Sequence, residues 1–264
     1  MSAARHVLTE VDHGIGLITL NRPERGNALD GALITELGAA ITTMANSSEV
    51  RVVILSGLGP AFCSGADPAW LLSLALKGEA ESLADARAMM QTLRALADCS
   101  KPTVARIQGQ VLGTGVGLVA ACDIAIATFD TEFAMTETRY GQIPGAIAPF
   151  ICNAIGARHA RRYMLTAERF SASEAYRLGL VHEIVADSAA LDNALSDLID
   201  ALLGNGPTAL AECKSSLALI QNRPASSELL DHMAQRSARV RSGAEGREGL
   251  AAVLARRQPD WARK

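Results

Sequence analysis

The stretch from Gly109 to Gly117 has four glycines in nine positions and is suited to chemistry through its backbone. It reads GQVLGTGVG and contains no acid, base or nucleophile. It also lacks the Rossmann GxGxxG, the P-loop GK[ST] and the GxSxG elbow. A strand-to-helix turn of this kind leaves N–H groups free at a helix N-terminus, where negative charge is favoured. The alternative is a tight turn whose glycines serve only close packing.

A second turn, between Val52 and Trp70, has the same design. A strand ends near Gly57, and a loop of small residues leads to Asp67-Pro68, which is a good N-cap and first-turn pair. The N–H of Ala66 therefore lies just before one helix, and the N–H of Thr114 lies at the start of another. Two such donors that converge on one point form an oxyanion hole, which needs no reactive side chain in either turn.

Composition and charge exclude several other classes of function. The net charge is −3 with no basic block, which argues against nucleic acid as a partner. The five cysteines are scattered without a CxxC, which favours a reducing compartment. The N-terminus has no apolar signal region and no stretch approaches about 18 apolar residues, so we expect a cytoplasmic protein without membrane contact. No metal site is expected, because no HExxH or similar spacing occurs among His6, His13, His159, His182 and His232.

The element pattern predicts an α/β fold with a helical C-terminal extension. Short β-rich runs flank His13-Gly14 as a hairpin, and buried strands are predicted in VRVVILSG and KPTVARIQG. Strands alternate with helices up to about residue 195, and helices alone follow. We therefore predict a core over residues 1–195 and a helical region over residues 196–264.

Six motifs in order resemble the enoyl-CoA hydratase/isomerase, or crotonase, superfamily over nearly the whole chain. They are NRPERGNALD, AFCSGAD, KPTVARIQGQVLGTGVGLVAACDIAIA, FAMTETRYGQIPG, RFSASEAYRLGLVHEIV and GREGLAAVLARRQPDW. The resemblance implies a spiral of ββα units and C-terminal helices that build homotrimers or dimers of trimers. It implies an acyl-CoA thioester as substrate, with no further cofactor, and an oxyanion hole made by the N–H groups of Ala66 and Thr114. Its CoA-binding segments correspond to Arg25, Ala28, Ser64, Gly65, Ala66 and Asp67.

The resemblance also assigns the acids. Hydratases of the family place glutamates at two positions, and the first of these is Gly117 here, so that acid is missing. The second lies in TETRYGQIPG, where Glu137 matches and is implied to be the acid/base at the α-carbon. Without the motif, an isolated glutamate in a loop is a solvated carboxylate.

Several other side chains have structural explanations. Cys63 reads as a small buried thiol, Asp123 as a capping or packing residue, and Trp70, Met89 and Met90 as lining of a core or an acyl pocket. Arg139 is most simply a surface ion-pair residue, although a charged acyl tail would need such a cation.

The sequence GVGL at Gly115–Leu118 is most similar to the branch that hydrates methylglutaconyl-CoA and isohexenylglutaconyl-CoA. Such substrates are branched at Cβ, where an alkyl group stabilises positive character, and loss of a glutamate side chain would leave room for the branch. Gly117→Glu is therefore expected to shift preference to straight chains. Helix propensity predicts no gross instability for this change, although a buried unpaired carboxylate would cost several kcal/mol. Thr114 and Pro68 stand where the family usually has glycine and leucine, and both bear on acyl preference.

Three functions stay open from the sequence. The first is a hydratase of a branched, carboxylated 2-enoyl-CoA. The second is a Δ3-Δ2-enoyl-CoA isomerase that uses Glu137 alone. The third is a catalytically silent acyl-CoA-binding protein.

Overall fold

The computed structural model describes residues 5–221 and 223–262. The strands are β1 (Val7–Asp12), β2 (Ile15–Leu20), β3 (Val52–Gly57), β4 (Thr103–Ile107), β5 (Gln110–Leu112), β6 (Ile124–Thr128), β7 (Glu132–Ala134), β8 (Phe170–Ser171) and β9 (Glu183–Val185). The helices are α1 (Gly31–Asn46), α2 (Pro68–Lys77), α3 (Glu79–Ala97), α4 (Thr114–Ala121), α5 (Ala148–Thr166), α6 (Ala172–Leu178), α7 (Ser188–Leu203), α8 (Pro207–Ile220), α9 (Ser227–Ser242) and α10 (Ala244–Leu254). The predicted α/β fold class is confirmed.

The larger sheet has six strands in the order β1-β2-β3-β4-β6-β9. The β1–β2 pair is the predicted antiparallel hairpin, and its turn residues His13 and Gly14 both have positive φ, as a two-residue type I′ turn requires. All other neighbours in this sheet are parallel. Its central strand β3 is buried along its whole length, which explains the unbroken apolar run in the sequence.

A smaller sheet has the order β5-β7-β8, and its strands β5 and β7 each follow a strand of the larger sheet along the chain. Two isolated parallel bridges, Leu29 with Ala66 and Cys63 with Val111, continue its pattern. A strand of the larger sheet, a short extended piece and a helix therefore follow one another in three places, and the helices are α1, α2 and α4. This repetition is the predicted spiral of ββα units, and it brings three helix N-termini to one side of the molecule.

The C-terminal helices divide between sheet packing and exposure. Residue 195, where the sequence analysis separates core from extension, lies inside α7, and this helix packs Leu195 and Ile199 against β3 and β4. The helices α8 and α9 have no buried residue. Arg51 ties this region to the sheet, because its guanidinium donates to the carbonyls of Leu203, Asn205 and Trp261, each at 2.8 Å. No helix in the described part of the chain is long and apolar enough to cross a membrane.

Candidate active site

The two turns singled out in the sequence lie side by side. Cys63 pairs in parallel with Val111 of β5, and the N–H of Leu112 donates to the carbonyl of Cys63 at 2.9 Å. Ala66 and Thr114 each lie three residues beyond this pair. Because parallel segments in register advance together, the backbones of Ala66 and Thr114 reach the same place.

Glycines permit this close approach. Gly65 has a φ of +95°, and a Cβ there would lie 2.9 Å from the carbonyl oxygen of Leu112. Gly113 has a φ of +49°, and a Cβ there would lie 3.1 Å from Oε1 of Glu137. The glycines of this turn therefore do serve close packing, which was one of the two interpretations of the sequence. They also let the Glu137 carboxylate lie next to the start of α4.

Each turn leads into a helix N-terminus. Asp67 caps α2, since its Oδ1 accepts from the N–H of Ala69 at 2.9 Å and from that of Trp70 at 3.3 Å, as predicted. Thr114 is the first residue of α4. In the part of the chain that the structure describes, the N–H groups of Ala66 and Thr114 donate to no protein acceptor. Free donors at adjacent helix N-termini favour a negatively polarised oxygen between them.

Glu137 begins a short 3-10 helix and holds a partly buried carboxylate. Among the described residues, its Oε2 is buried without a hydrogen-bond partner. Burial raises the pKa of Glu137 above its ordinary value, opposed in part by a hydrogen bond from its own backbone. A carboxyl group with a raised pKa and one free oxygen is suited to exchanging a proton with a bound molecule.

We expect Glu137→Gln to stabilise the protein at neutral pH and to lose this advantage in acid. With its pKa raised by folding, Glu137 contributes stability below its unfolded pKa, and this contribution is lost as pH rises through the folded pKa. Glutamine resembles the neutral form at every pH. Thermal unfolding at about pH 5 and about pH 8 checks this, with each kcal/mol moving Tm by about 2–4 °C. A Tm difference that stays constant between these values would contradict it.

Two cavities meet beside Glu137. The larger has a volume of about 770 Å³ and the smaller about 320 Å³, which are sizes typical of small-molecule sites. Ala66, Leu71, Glu137 and Gln142 line both of them. These four residues mark the passage from one cavity to the other, and Thr114 lines the smaller cavity.

The larger cavity contains most of the residues predicted to bind CoA. Its lining includes Arg25, Ala28, Ser64, Ala66 and Asp67. Gly65 is not part of that lining, and its backbone connects two residues that are. The Arg25 side chain is 57% exposed and so is open to a ligand, whereas Asp67 is 8% exposed. The Asp67 carboxylate caps α2 and lies 3.4 Å from Arg25, so its contacts position the loop.

The smaller cavity is mainly apolar. As predicted for an acyl pocket, Trp70, Met89 and Met90 line it. Its charged lining residues are Glu137 and Asp85, whose Oδ1 accepts from Nε1 of Trp70 at 2.9 Å. Among the described residues, no cationic side chain lines this cavity. Arg139 is exposed and lines neither cavity, so the structure does not place it where a charged acyl tail would need it.

The expected room next to Gly117 is absent. Gly117 is buried, and a Cβ there would overlap Cγ2 of Ile147 and lie 2.8 Å from Cβ of the same residue. Ile147 is itself fully buried at the start of α5 and lines the smaller cavity. The prediction that loss of a glutamate leaves space for a branch is therefore wrong, and Gly117→Glu meets a steric obstacle that helix propensity does not include. An isoleucine from a later segment fills that space.

Among the lining residues that were not predicted, three bear most on the chemistry of the site, namely Asp85, Gln142 and Ile147. Asp85 and Ile147 have no local signal in the sequence. Gln142 stands in the GQIPG part of the Glu137 motif, where its N–H donates to the carbonyl of Glu137 at 3.1 Å after the left-handed Gly141. Because this motif can be recognised in the sequence, Gln142 is the one of the three that the sequence could have indicated.

Two structural interpretations are confirmed. Cys63 is fully buried, and burial raises the pKa of its thiol to about 12, so a thiolate nucleophile is excluded there. Asp123 accepts from the N–H and hydroxyl of Thr103, each at 2.8 Å, and pairs with Lys214 at 2.6 Å. Both residues hold the fold together. The described residues contain no group of three or more histidine, cysteine, aspartate or glutamate side chains that could hold a metal ion.

Comparison with known proteins agrees with this geometry. Residues 10–264 match the family model for enoyl-CoA hydratase/isomerase, which is nearly the whole chain. The chain belongs to the enoyl-CoA hydratase/isomerase family. It is therefore an enzyme of this family, whose similar members are named both hydratases and isomerases.

Proteins named as isomerases and proteins named as hydratases are similar to this chain over nearly its full length. The peroxisomal Delta(3,5)-Delta(2,4)-dienoyl-CoA isomerase of Arabidopsis thaliana is 30% identical, over 96% of this chain and 94% of that protein. A crystal structure of an enoyl-CoA hydratase from Shewanella pealeana is 35% identical with a TM-score of 0.94, covering 97% of this chain and 96% of that one. Pseudomonas aeruginosa AtuE is 37% identical with a TM-score of 0.94, covering 98% and 100%. These similarities establish the crotonase fold and the family.

Proposed function

We propose that this enzyme hydrates a 2-enoyl-CoA whose apolar acyl group is branched at Cβ, with Glu137 as its one carboxylate acid/base. The observation that carries the proposal is the position of Glu137 Oε2, which is buried and unpartnered where the two cavities meet. The free N–H groups of Ala66 and Thr114 lie beside it and are proposed to form the oxyanion hole.

The proposed reaction uses these groups in sequence. The thioester oxygen accepts from the N–H groups of Ala66 and Thr114, which withdraws electrons from the double bond. Water adds its oxygen to Cβ and passes one proton to the Glu137 carboxylate, while the double-bond electrons form the enolate. Glu137 then gives that proton to Cα, so one water is added overall. Each oxyanion donor contributes about 2.7–4 kcal/mol to the enolate-like transition state.

The acyl group is proposed to be branched because Gly117 stands where hydratases of the family have a second glutamate to activate water, and Asp85, the other carboxylate of the smaller cavity, binds Trp70. An alkyl substituent at Cβ stabilises the positive character that develops there, so the water needs less activation. This electronic argument does not depend on free space next to Gly117.

The acyl group is proposed to be apolar because of the charges in the smaller cavity. A terminal carboxylate, as in methylglutaconyl-CoA, would meet Asp85 and would find no cation among the described lining residues. The carboxylated substrate expected from the sequence is therefore not part of this proposal. The CoA portion is proposed to occupy the larger cavity, where Arg25 is open to its phosphates.

A Δ3-Δ2-enoyl-CoA isomerase is the second candidate. It needs one base that removes a proton from Cα and returns it to Cγ, together with the same oxyanion hole. The filling of the other acid position by Ile147 favours this candidate, since no carboxylate stands at that position to orient water.

A substrate panel tests the proposal. The panel consists of 3-methylbut-2-enoyl-CoA, 3-methylglutaconyl-CoA, crotonyl-CoA and 3-hexenoyl-CoA, with CoA-thioester affinity measured alongside. We expect the highest kcat/KM with 3-methylbut-2-enoyl-CoA. A preference for 3-hexenoyl-CoA would establish the isomerase, and tight binding without turnover of any member would establish a silent binder.

We also propose that the C-terminal helices assemble homotrimers or dimers of trimers. In the single chain they leave large apolar side chains exposed, namely Leu217, Leu230, Leu250, Val253 and Leu254. Light scattering is expected to give three or six times the 27.7 kDa mass of one chain. A folded monomer at micromolar concentration would contradict this assembly.

A further inference from the structure

The hydroxyl of Thr114 is buried without a hydrogen-bond partner. Five buried side-chain nitrogen or oxygen atoms in the described part of the chain have no partner, and two of them, Thr114 Oγ1 and Glu137 Oε2, belong to residues that line the smaller cavity. A buried polar atom without a partner costs about 1–3 kcal/mol. Two such atoms on one cavity therefore need an explanation.

A water molecule explains both atoms. Buried waters bind where two to four polar groups are available, and a hydroxyl and a carboxylate oxygen supply the first two. The backbone of Gly113, the residue before Thr114, lies against the Glu137 carboxylate, because a Cβ there would be 3.1 Å from Oε1. Thr114 therefore follows a residue that lies against the Glu137 carboxylate, and the side chains of Thr114 and Glu137 line the same cavity.

We propose that the Thr114 hydroxyl and the Glu137 carboxylate together hold the water that adds to Cβ. The inference rests on the proposed hydratase function and names the group that orients water in place of the missing second glutamate. One O–H of the water donates to Glu137 and the other donates to Thr114 Oγ1, which leaves a lone pair directed away from both.

The chemistry then assigns different tasks to the two residues. As the water oxygen bonds to Cβ, its first proton moves to Glu137 and from there to Cα, while its second proton stays on the new hydroxyl. Thr114 exchanges no proton with the substrate, so through its side chain it is a positioning residue. Its backbone N–H acts separately, on the thioester oxygen.

Two rates separate these tasks. Hydration of 3-methylbut-2-enoyl-CoA needs the positioned water, whereas exchange of the α-protons of butanoyl-CoA with D2O needs only Glu137 and the oxyanion hole. Thr114→Val replaces the hydroxyl by a methyl group of similar shape and keeps the N–H. We expect the ratio of hydration rate to exchange rate to fall about 10²-fold in this variant, the scale of a misplaced reactant.

Thr114→Ser retains the hydroxyl and is expected to restore much of that ratio. Thr92→Val is the matched control, because Thr92 is buried on α3, binds only the carbonyl of Ala88 and lines neither cavity. An unchanged ratio of hydration rate to exchange rate in Thr114→Val would overturn the inference. If the ratio is unchanged because both rates fall equally, the effect lies in the oxyanion hole. Wild-type protein that exchanges α-protons but hydrates nothing would instead overturn the proposed function.

Discussion

Glu137→Gln is expected to lower kcat on the best acyl-CoA substrate by about 10²–10⁴-fold, the usual contribution of a general acid/base. Binding of the CoA thioester should stay nearly unchanged, because the amide keeps the shape of the carboxyl group at the passage between the cavities. In the wild type, the ionised carboxylate is the form that accepts the first proton. Its rate should therefore rise with pH through the raised pKa of Glu137.

Steady-state kinetics combined with thioester binding measurements check this result. Glu132→Gln is the matched control, since Glu132 lies on β7, pairs with Arg169 at 2.6 Å on the surface and lines neither cavity. Wild-type turnover in Glu137→Gln would remove Glu137 from the mechanism. A loss of turnover that is matched by loss of binding would assign it to substrate binding instead.

Gly117→Glu is expected to destabilise the folded chain by several kcal/mol. Overpacking against Ile147 costs about 1–3 kcal/mol, and a buried carboxylate without a partner adds several more. Ile147→Gly removes the two atoms that a Cβ at position 117 would overlap, and leaves Leu93 Cδ1 at 3.5 Å, an ordinary contact distance. Because position 147 is the N-cap of α5, glycine is acceptable to the backbone there. Gly117→Glu should therefore lower the free energy of unfolding by less in the Ile147→Gly background than in the wild type.

A double-mutant cycle measures this coupling by chemical denaturation of the wild type, both single variants and the double variant. The double variant also restores a carboxylate at the position where hydratases of the family have their first glutamate, so we expect its crotonyl-CoA hydration to exceed that of Ile147→Gly alone. If Gly117→Glu costs the same free energy in both backgrounds, Ile147 is not what excludes a side chain at position 117. Gly117→Ala separates the steric part of the cost from the charge.

Much of the site could be predicted from local sequence. The Asp67-Pro68 pair marks a helix start by capping chemistry, and Gly113-Thr114 marks another, so both backbone donors were found without a structure. The hairpin and the buried strands follow from short-range patterns in the same way. Glu137 itself carries no local signal and was found through the motif around it.

Beyond Trp70, Met89 and Met90, the walls of the smaller cavity could not be predicted, because they are contacts between distant segments. Ile147 fills the space beside Gly117 across 30 residues of sequence, and no pattern near either residue records that contact. Asp85 enters the cavity wall through its bond to Trp70 from another helix. Substrate charge and shape depend on these contacts, so the carboxylated substrate predicted from the sequence and the apolar one proposed from the cavity differ on residues that local patterns do not place.

The pairing of Cys63 with β5 has a consequence for how this enzyme can diversify. It sets the position of both backbone donors through main-chain hydrogen bonds, so replacement of side chains elsewhere leaves the donors in place. The smaller cavity is lined largely by α2, α3 and the segment after Glu137, none of which contributes to that pairing. Randomised libraries confined to Leu71, Asp85, Met90 and Ile143 would therefore vary the proposed acyl pocket while the proposed oxyanion donors stay in place.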